Sequence, residues 1–304
     1  MTKLTTTLKE LLASPEILVM PGTFDGYSQR LIERHGFKAA MIGGAGLSES
    51  RLGWADVGLM GLEENVSVAR RLAAISNIPL IADADTGYGN ALNVYFTVKM
   101  FENAGVAGIA LEDQTWPKRC GHMTGKSVIS LEEMVEKIHA ACEARNDADF
   151  VIKARTDAAG VHGIDEAIRR LQAYESAGAD HLVADAVVAT EHIADVVANV
   201  TKPVAVNMGF GIRRRSTTPL MTARQLENMG VAAVTFPRLL TAAAMRGMDR
   251  ALEALTTTLD LDEAVERPEL TASFDDVNDL MQLPLLRHLE DRFAGKADES
   301  DDIP

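Results

Sequence analysis

Short apolar segments alternate with longer amphipathic segments along most of this 304-residue chain. Eight apolar segments have the length and composition of buried β-strands. They are residues 17–20, 39–42, 80–82, 106–111, 150–154, 181–184, 204–206 and 231–236. Because repeated strand–helix units require a parallel sheet, the pattern predicts the α/β class.

Between the apolar segments, hydrophobic residues recur at the spacing of an amphipathic helix. The clearest stretches are residues 67–75, 93–104, 131–144, 164–177 and 223–229. Gly105, Gly178 and Gly230 each stand where such a helix should stop. Eight strand–helix units predict a closed (β/α)8 barrel. A doubly wound open sheet is the alternative, but no Gly-rich dinucleotide fingerprint follows an early strand.

The strand–helix rhythm ends near residue 256, so we assign residues 1–255 to a catalytic barrel domain. Residues 256–295 form a helical extension of the same domain. Within it, Pro284 breaks or begins a helix. Residues 296–304 contain four acidic residues and are expected to be a disordered tail.

Composition narrows the possible functions by exclusion. A net charge of −14 opposes nucleic-acid binding, which needs basic patches. No apolar run approaches the ~20 residues that cross a bilayer, and the N-terminus lacks the apolar core of a signal peptide. The two cysteines, Cys120 and Cys142, provide no disulfide framework. We therefore expect a cytoplasmic protein with neither a membrane nor a nucleic-acid partner.

Polar residues directly follow most of the apolar segments, where the active site of a (β/α)8 barrel lies. The carboxylate, guanidinium and amide groups at these positions should therefore converge on one rim. The set is Thr23, Phe24, Asp25, Gly43, Gly44, Ala45, Gly46, Asp83, Asp85, Glu112, Arg155, Asp157, Asp185, Asn207, Pro237 and Arg238.

Asp83 and Asp85 follow the third apolar segment, and strand alternation would put them on one side of the chain. Their charges would repel unless a cation lies beside them. A hard divalent ion such as Mg²⁺, with Mn²⁺ as a substitute, is the simplest solution, and Glu112 could join its shell. The alternative is that these acids cap the following helix.

Residues 112–122 combine an acid, a thiol, an imidazole and two cations. Lys118, Arg119 or a protonated His122 would lower the pKa of the Cys120 thiol from its usual ~8.5. The alternative is a buried cysteine beside a salt-bridged loop. Arg155 either grips a substrate carboxylate or pairs with neighbouring acids.

Four motifs together resemble the isocitrate lyase and phosphoenolpyruvate mutase superfamily. They are Asp-Ala-Asp-Thr-Gly at 83–87, Glu-Asp-Gln at 112–114, Lys-Arg-Cys-Gly-His at 118–122 and Ala-Arg-Thr-Asp at 154–157. The resemblance spans residues 10–255. Residues 116–126 look most like the group of 2-methylisocitrate lyase, 2,3-dimethylmalate lyase and petal death protein.

The resemblance implies Mg²⁺ near Asp83, Asp85 and Glu112, held mostly through water. It implies that Cys120 protonates the leaving carbanion, with catalytic neighbours Lys118, His122, Arg155 and Glu112. The substrate-binding residues are expected to be Phe24, Asp25, Gly43, Gly44, Ala45, Asp56, Gly121, Arg155, Asp185, Asn207, Arg213 and Arg215. The hydroxyl's base stays open between Tyr27 and Glu112. A helix-swapped homotetramer, a dimer of dimers, is also implied.

Two departures from the family pattern concern the substrate. Asp185 stands where close relatives commonly carry glutamate, so the carboxylate is shorter. Three arginines, residues 213–215, replace a short acidic loop. We hypothesise that Arg213 or Arg215 binds a distal carboxylate; a solvated basic loop is the alternative.

The sequence thus predicts a Mg²⁺-dependent carbon–carbon lyase acting on a small 2-hydroxy di- or tricarboxylate. The expected substrate is of the 2-methylisocitrate or 2-alkylmalate type, and retro-aldol cleavage would release pyruvate or glyoxylate plus a carboxylate. Oxaloacetate hydrolysis or decarboxylation, and phosphonate mutase chemistry, are alternative reactions. A non-catalytic metabolite-binding protein is the alternative of another class, and it would not need Cys120 beside His122.

Overall fold

A computed structural model describes residues 2–259, 261–262 and 264–294 of the chain. Its strands are β1 Leu18–Thr23, β2 Ala40–Ile42, β3 Leu80–Asp83, β4 Gly108–Glu112, β5 Val151–Thr156, β6 His181–Ala184, β7 Ala205–Asn207 and β8 Ala233–Phe236. Its helices are α1 Leu4–Ala13, α2 Gly26–Arg34, α3 Gly44–Leu47, α4 Leu62–Ile75, α5 Ala91–Asn103, α6 Leu131–Ala144, α7 Ala159–His162, α8 Ile164–Ser176, α9 Thr190–Asn199, α10 Ala223–Asn228, α11 Leu239–Thr258, α12 Phe274–Leu280 and α13 Leu283–Phe293. A π-helical turn, Ser48–Leu52, follows α3.

The strands form one parallel sheet in the order β6-β5-β4-β3-β2-β1-β8-β7. The two end strands approach each other through a parallel bridge between Leu182 and Val204. Beside it, the Leu182 N–H donates to the Pro203 carbonyl at 2.9 Å. The sheet is therefore a nearly closed barrel, and the predicted (β/α)8 fold class is confirmed.

Side chains that alternate along the strands divide the core into a lumen and an outer layer. Leu18, Met20, Ile81, Val151 and Val183 belong to one buried cluster that includes side chains from seven of the strands. A larger cluster joins the opposite strand faces to the surrounding helices. With its lower lumen filled by apolar side chains, the barrel leaves room for polar chemistry only toward the carboxyl ends of its strands.

Each predicted strand is present, with ends that shift by at most three residues. The predicted helix at 131–144 matches α6, because Ser130 caps its start by accepting from the Glu133 N–H. Pro284 lies in the first turn of α13, which confirms that it begins a helix. Helices α1, α3, α7, α9 and α11 were not among the stretches predicted from sequence.

The chain divides into two compact units, Met1–Ala242 and Ala243–Pro304. The sequence boundary at residue 255 and the swapping of C-terminal helices stay predictions. The expected tail at 296–304 lies outside the described residues. Among the helices that the structure describes, none combines the length and apolarity needed to cross a bilayer.

Candidate active site

A buried carboxylate fixes the end of β4 and thereby positions the site. Asp113 accepts hydrogen bonds from Thr156 Oγ1 at 2.7 Å, from the Asp157 N–H at 2.9 Å, from Arg170 Nη1 at 3.0 Å and from the Tyr174 hydroxyl at 2.8 Å. Neighbouring side chains on a strand point to opposite faces. Glu112 therefore faces the lumen, where it lines the cavity at the barrel rim.

Many of the sequence-predicted residues meet in this cavity. Its lining residues are Met41, Gly43, Gly44, Ala45, Asp56, Asp83, Glu112, Lys118, Arg119, Cys120, Gly121, His122, Arg155, Asn207, Arg215, Pro237 and Arg238. The carboxyl ends of several strands contribute to it, and so does the loop after β4.

Lys118 forms a buried ion-pair network with two carboxylates. Its Nζ lies 2.5 Å from Asp56 Oδ1 and 2.7 Å from Asp85 Oδ1. Burial disfavours the ammonium, yet Asp85, Asp56 and other acids hold the pKa of Lys118 well above its usual value. Lys118 thus compensates Asp85, so repulsion between Asp83 and Asp85 does not by itself require a metal ion.

The strand-alternation argument for Asp83 and Asp85 was wrong in its premise, because β3 ends at Asp83 and Asp85 adopts a left-handed φ of 48°. The two carboxylates nevertheless both flank Gly44. A Cβ on Gly44 would lie 2.9 Å from Asp83 Oδ2 and 3.3 Å from Asp85 Oδ1. Neither acid caps the next helix: the Asn90 side chain caps α5.

The carboxylates suit a divalent cation with oxygen ligands. Glu112 Oε1 is buried without a hydrogen-bond partner, and burial raises the pKa of Glu112 well above its usual range. Burial also raises the pKa of Asp85 to about 7, against the opposing charge of Lys118. A cation would relieve both penalties. Within the described part of the chain, no group of three acidic, His or Cys side chains is arranged to hold a metal ion directly.

The thiol and imidazole differ from the sequence expectation. Burial raises the pKa of Cys120, so the prediction of a lowered thiol pKa was wrong. Lys118 is engaged by carboxylates, and burial lowers the pKa of His122 to about 4. His122 is therefore neutral near pH 7, with its ring nitrogens bound to Thr217 and Arg215.

Arg155 binds three acids at once. Its Nε lies 2.9 Å from Asp157, its Nη2 lies 2.8 Å from Asp185, and its Nη1 lies 3.3 Å from Glu112. Burial alone would raise the pKa of Asp185, but Arg155 and nearby cations bring it to about 2. Both readings of Arg155 stay open, since it pairs with acids and also lines the cavity.

Gly121 seats the loop directly on this network. A Cβ at Gly121 would lie 1.8 Å from Asp185 Oδ2, a separation that no side chain could tolerate. Lys126 secures the loop by donating to the Gly121 carbonyl at 2.5 Å and to Asp157 at 2.6 Å. The loop therefore lies against the rim with Cys120 in the cavity wall.

Some predicted site residues lie elsewhere. Asp25 caps α2 by accepting from the Ser28 N–H at 2.8 Å. Phe24, Arg213 and Tyr27 do not line the cavity, and Tyr27 is 52% exposed. Asp185 borders the cavity through Arg155 and Gly121 rather than lining it. The binding roles given to Phe24, Asp25 and Arg213 therefore remain predictions.

Two residues in or near the site had no role assigned from sequence. Arg238 was placed on the rim because it follows β8, but nothing in the pattern indicated its contact with Cys120. Lys153 lines a narrower cavity together with Asp83 and Glu112. Its side chain has no hydrogen-bond or ion-pair partner among the described residues, and burial lowers its pKa to about 8.

Replacing Lys153 with methionine is expected to raise the free energy of unfolding at pH 7 by about 3 kcal/mol. The lysine pKa falls from 10.5 to about 8 on folding, so below pH 8 the buried ammonium lowers the stability of the folded state. As pH rises from 8 to 10.5, the buried lysine loses its proton and this loss of stability disappears. The stability difference between Lys153→Met and the parent should therefore shrink over that range. Urea unfolding in EDTA at pH 7 and 10.5 measures both effects.

Lys202→Met is the matched control, because Lys202 is exposed and its charge is solvated. We expect that variant to remain within about 0.5 kcal/mol of the parent. Destabilisation by Lys153→Met at pH 7 would contradict the prediction, since it would mean that the ammonium holds the neighbouring carboxylates together.

Comparisons with known proteins show which proteins the whole chain is similar to. Residues 8–256 match the family model described as phosphoenolpyruvate phosphomutase. The chain is 40% identical over 288 residues to 2,3-dimethylmalate lyase of Eubacterium barkeri, covering 94% of this chain and 97% of that protein. It is 42% identical over 252 residues to a probable 2-methylisocitrate lyase of Corynebacterium glutamicum, covering 83% and 80%. A structure of oxaloacetate acetylhydrolase with 3,3-difluorooxalacetate superposes with a TM-score of 0.88 at 32% identity, covering 97% and 98%.

Proposed function

This chain belongs to the isocitrate lyase and phosphoenolpyruvate mutase superfamily and is a carbon–carbon lyase, and from that premise we propose its substrate class. We propose cleavage of a small 2-hydroxy di- or tricarboxylate, of the 2-alkylmalate or 2-methylisocitrate type, to a 2-oxo acid and a carboxylate. The observation that carries this proposal is one shared cavity. Cys120, a proton donor, and Glu112, whose Oε1 lacks a partner, both line it.

The carboxylates define where the 2-hydroxy acid end would bind. Asp83, Asp85 and Glu112 would hold Mg²⁺ or Mn²⁺, mostly through water, and the ion would supply Lewis-acid stabilisation for negative charge on a substrate oxygen. A side chain at Gly44 would crowd the carboxylates of Asp83 and Asp85, so glycine keeps this end of the cavity open. Between the candidate bases for the substrate hydroxyl, Glu112 is favoured because it lines the cavity and Tyr27 does not.

Cys120 would complete the reaction at the other fragment. When the C2–C3 bond breaks, its electron pair passes to a carbon adjacent to a carboxylate. The Cys120 S–H bond then breaks as a C–H bond forms, and the sulfur keeps the S–H electrons as a thiolate. The raised thiol pKa keeps the proton in place until this moment. The loop carrying Cys120 lies against the rim, where it would keep water from the carbanion.

An assembly of several copies is proposed for the active form. Met245, Met248, Leu252 and Leu255 recur at helical spacing on α11, and each is at least 57% exposed in the single chain. Such an apolar stripe supports the homotetramer, a dimer of dimers, that the family resemblance implied.

Oxaloacetate is the second candidate substrate. The superposition with oxaloacetate acetylhydrolase favours it, since both chains match over nearly their full length. Hydrolysis in the same cavity would consume one water and release oxalate and acetate instead of a 2-oxo acid and a carboxylate. Phosphonate mutase chemistry stays an alternative reaction, since the matching family model is described as phosphoenolpyruvate phosphomutase.

A substrate panel decides between these reactions. The purified protein would be incubated with 2,3-dimethylmalate, 2-methylisocitrate, isocitrate and oxaloacetate, with Mg²⁺ or with EDTA. We expect one of the 2-hydroxy acids to give pyruvate or glyoxylate, and EDTA to abolish its release. Oxalate from oxaloacetate alone would support the second candidate, and no product from any compound would refute the lyase proposal.

Arg215 is proposed to bind the distal carboxylate of the substrate. It lines the cavity, its Nε is buried without a partner, and it pairs with no carboxylate among the described residues. Arg215→Ala is therefore expected to raise KM at least tenfold with a smaller change in kcat. Arg214→Ala is the control, because Arg214 is exposed in the same loop. An unchanged KM in Arg215→Ala would contradict this role and favour the alternative that the loop is a solvated basic segment.

A further inference from the structure

Proton donation leaves a negative charge on the Cys120 sulfur, and the structure limits which cation can balance it. Lys118 is held between Asp56 and Asp85. Arg119 donates to the Thr124 carbonyl at 3.2 Å, away from the sulfur. The neutral His122 ring contacts Thr217 and Arg215. The three cationic neighbours expected from the sequence are therefore all engaged or uncharged.

Arg238 is in the required place. Its Nη1 donates toward Cys120 Sγ at 3.6 Å, within hydrogen-bond range for sulfur. Its Nη2 pairs with Glu49 of the π-helical turn, so the guanidinium is held from its far side. The Arg238 N–H also donates to the Gly209 carbonyl at 3.3 Å, which fixes the backbone where β8 ends. The side chain is 21% exposed and lines the cavity.

We propose that Arg238 is the positioning residue of the proton-transfer step, orienting the Cys120 thiol and stabilising the thiolate that remains after the proton leaves. This inference rests on the proposed lyase function for its chemistry. In that step the S–H electron pair stays on sulfur, and an Arg238 N–H donates to it. A hydrogen bond from the charged guanidinium is stronger to the thiolate than to the neutral thiol, so it favours the thiolate.

Other charged groups also face the thiol and set the background. Asp56 and Asp185 oppose thiolate formation, whereas Arg155 and the His122 backbone N–H favour it. Arg215 also interacts with Cys120 across the cavity. Of the described side chains, Arg238 is the one whose nitrogen forms a hydrogen bond with the sulfur. Removing Arg238 should therefore raise the pKa of the Cys120 thiol, because none of these other groups donates a side-chain hydrogen bond to the sulfur.

The test measures the thiol directly, without substrate. In a Cys142→Ala background, thiolate absorbance at 240 nm would be followed against pH, with Cys120→Ser in the same background as the baseline. Arg238→Gln is expected to raise the thiol pKa by about one unit, as expected for loss of a cation within ~4 Å. Arg238→Lys, which keeps the charge, should shift it by less than about half as much. Arg238→Met gives the same reading if the glutamine variant does not fold.

Turnover provides the second readout. Arg238→Gln is expected to lower kcat about 10- to 100-fold with KM changed less than about threefold, because the contact matters after the bond breaks. Arg169→Gln, which removes an exposed arginine paired with Glu166, should change neither quantity. An unshifted thiol pKa, or a raised KM with kcat intact, would overturn the proposal. The titration needs no lyase activity. A failed substrate panel would therefore refute the lyase function, while the thiol pKa would still show whether Arg238 stabilises the thiolate.

Discussion

Cys120→Ser is expected to reduce lyase turnover on the order of 10³-fold while the variant still binds pyruvate in the presence of Mg²⁺. Serine keeps the shape of the side chain, but its hydroxyl is a far weaker acid than a thiol and cannot protonate a carbanion at a useful rate. A well-placed general acid contributes 10²- to 10⁴-fold. Because the substitution leaves the cavity-lining carboxylates Asp83 and Glu112 unchanged, binding of the 2-oxo acid at the carboxylate end should survive. Steady-state kinetics and calorimetric titration with pyruvate measure the two effects.

The second cysteine supplies the control for this variant. Cys142 is half-buried, and its sulfur donates to the Gly178 carbonyl at 3.3 Å, which a serine hydroxyl can also do. Cys142→Ser should therefore retain parental turnover. Equal turnover of Cys120→Ser and the parent would favour a different proton donor. If neither the parent nor Cys120→Ser turned over any substrate, the metabolite-binding alternative would be favoured.

Glu112→Gln is expected to weaken Mn²⁺ binding 10- to 100-fold and to lower kcat/KM at least 100-fold. Glutamine has the same shape but lacks the charge that a hard cation needs, and altered metal-shell partners typically cost this much affinity. The fold should persist, because Arg155 keeps Asp157 and Asp185 as partners. Binding would be followed by calorimetry with Mn²⁺, alongside Glu132→Gln, which replaces an exposed glutamate. Unchanged Mn²⁺ affinity in Glu112→Gln would remove Glu112 from the metal site.

The barrel and its rim could be predicted because their signals are local. Each strand is a short apolar run, and several of the candidate residues lie at the carboxyl end of such a run, as Glu112 is the last residue of β4. The convergence of those residues then follows from the geometry of any parallel barrel. The same local signal placed Arg238 on the rim without indicating what it contacts.

The pairings within the rim could not be predicted, because they join residues distant in sequence. Lys118 and Asp56 are 62 positions apart, and Arg238 and Cys120 are 118 apart. Burial is equally invisible in a polar loop, so the sequence indicated a lowered thiol pKa where desolvation raises it. The alternation argument failed because Asp85 has a positive φ. That backbone angle depends on the direction in which the chain leaves β3, which the sequence pattern does not show.

The central claim is that one cavity places a cation-binding carboxylate cluster and the Cys120 thiol on either side of the substrate. Anomalous diffraction from crystals grown with Mn²⁺ and pyruvate tests this most directly. We expect the manganese peak beside Asp83, Asp85 and Glu112, with pyruvate between it and the Cys120 sulfur. A manganese peak elsewhere, or pyruvate bound with that sulfur outside the cavity, would contradict the account.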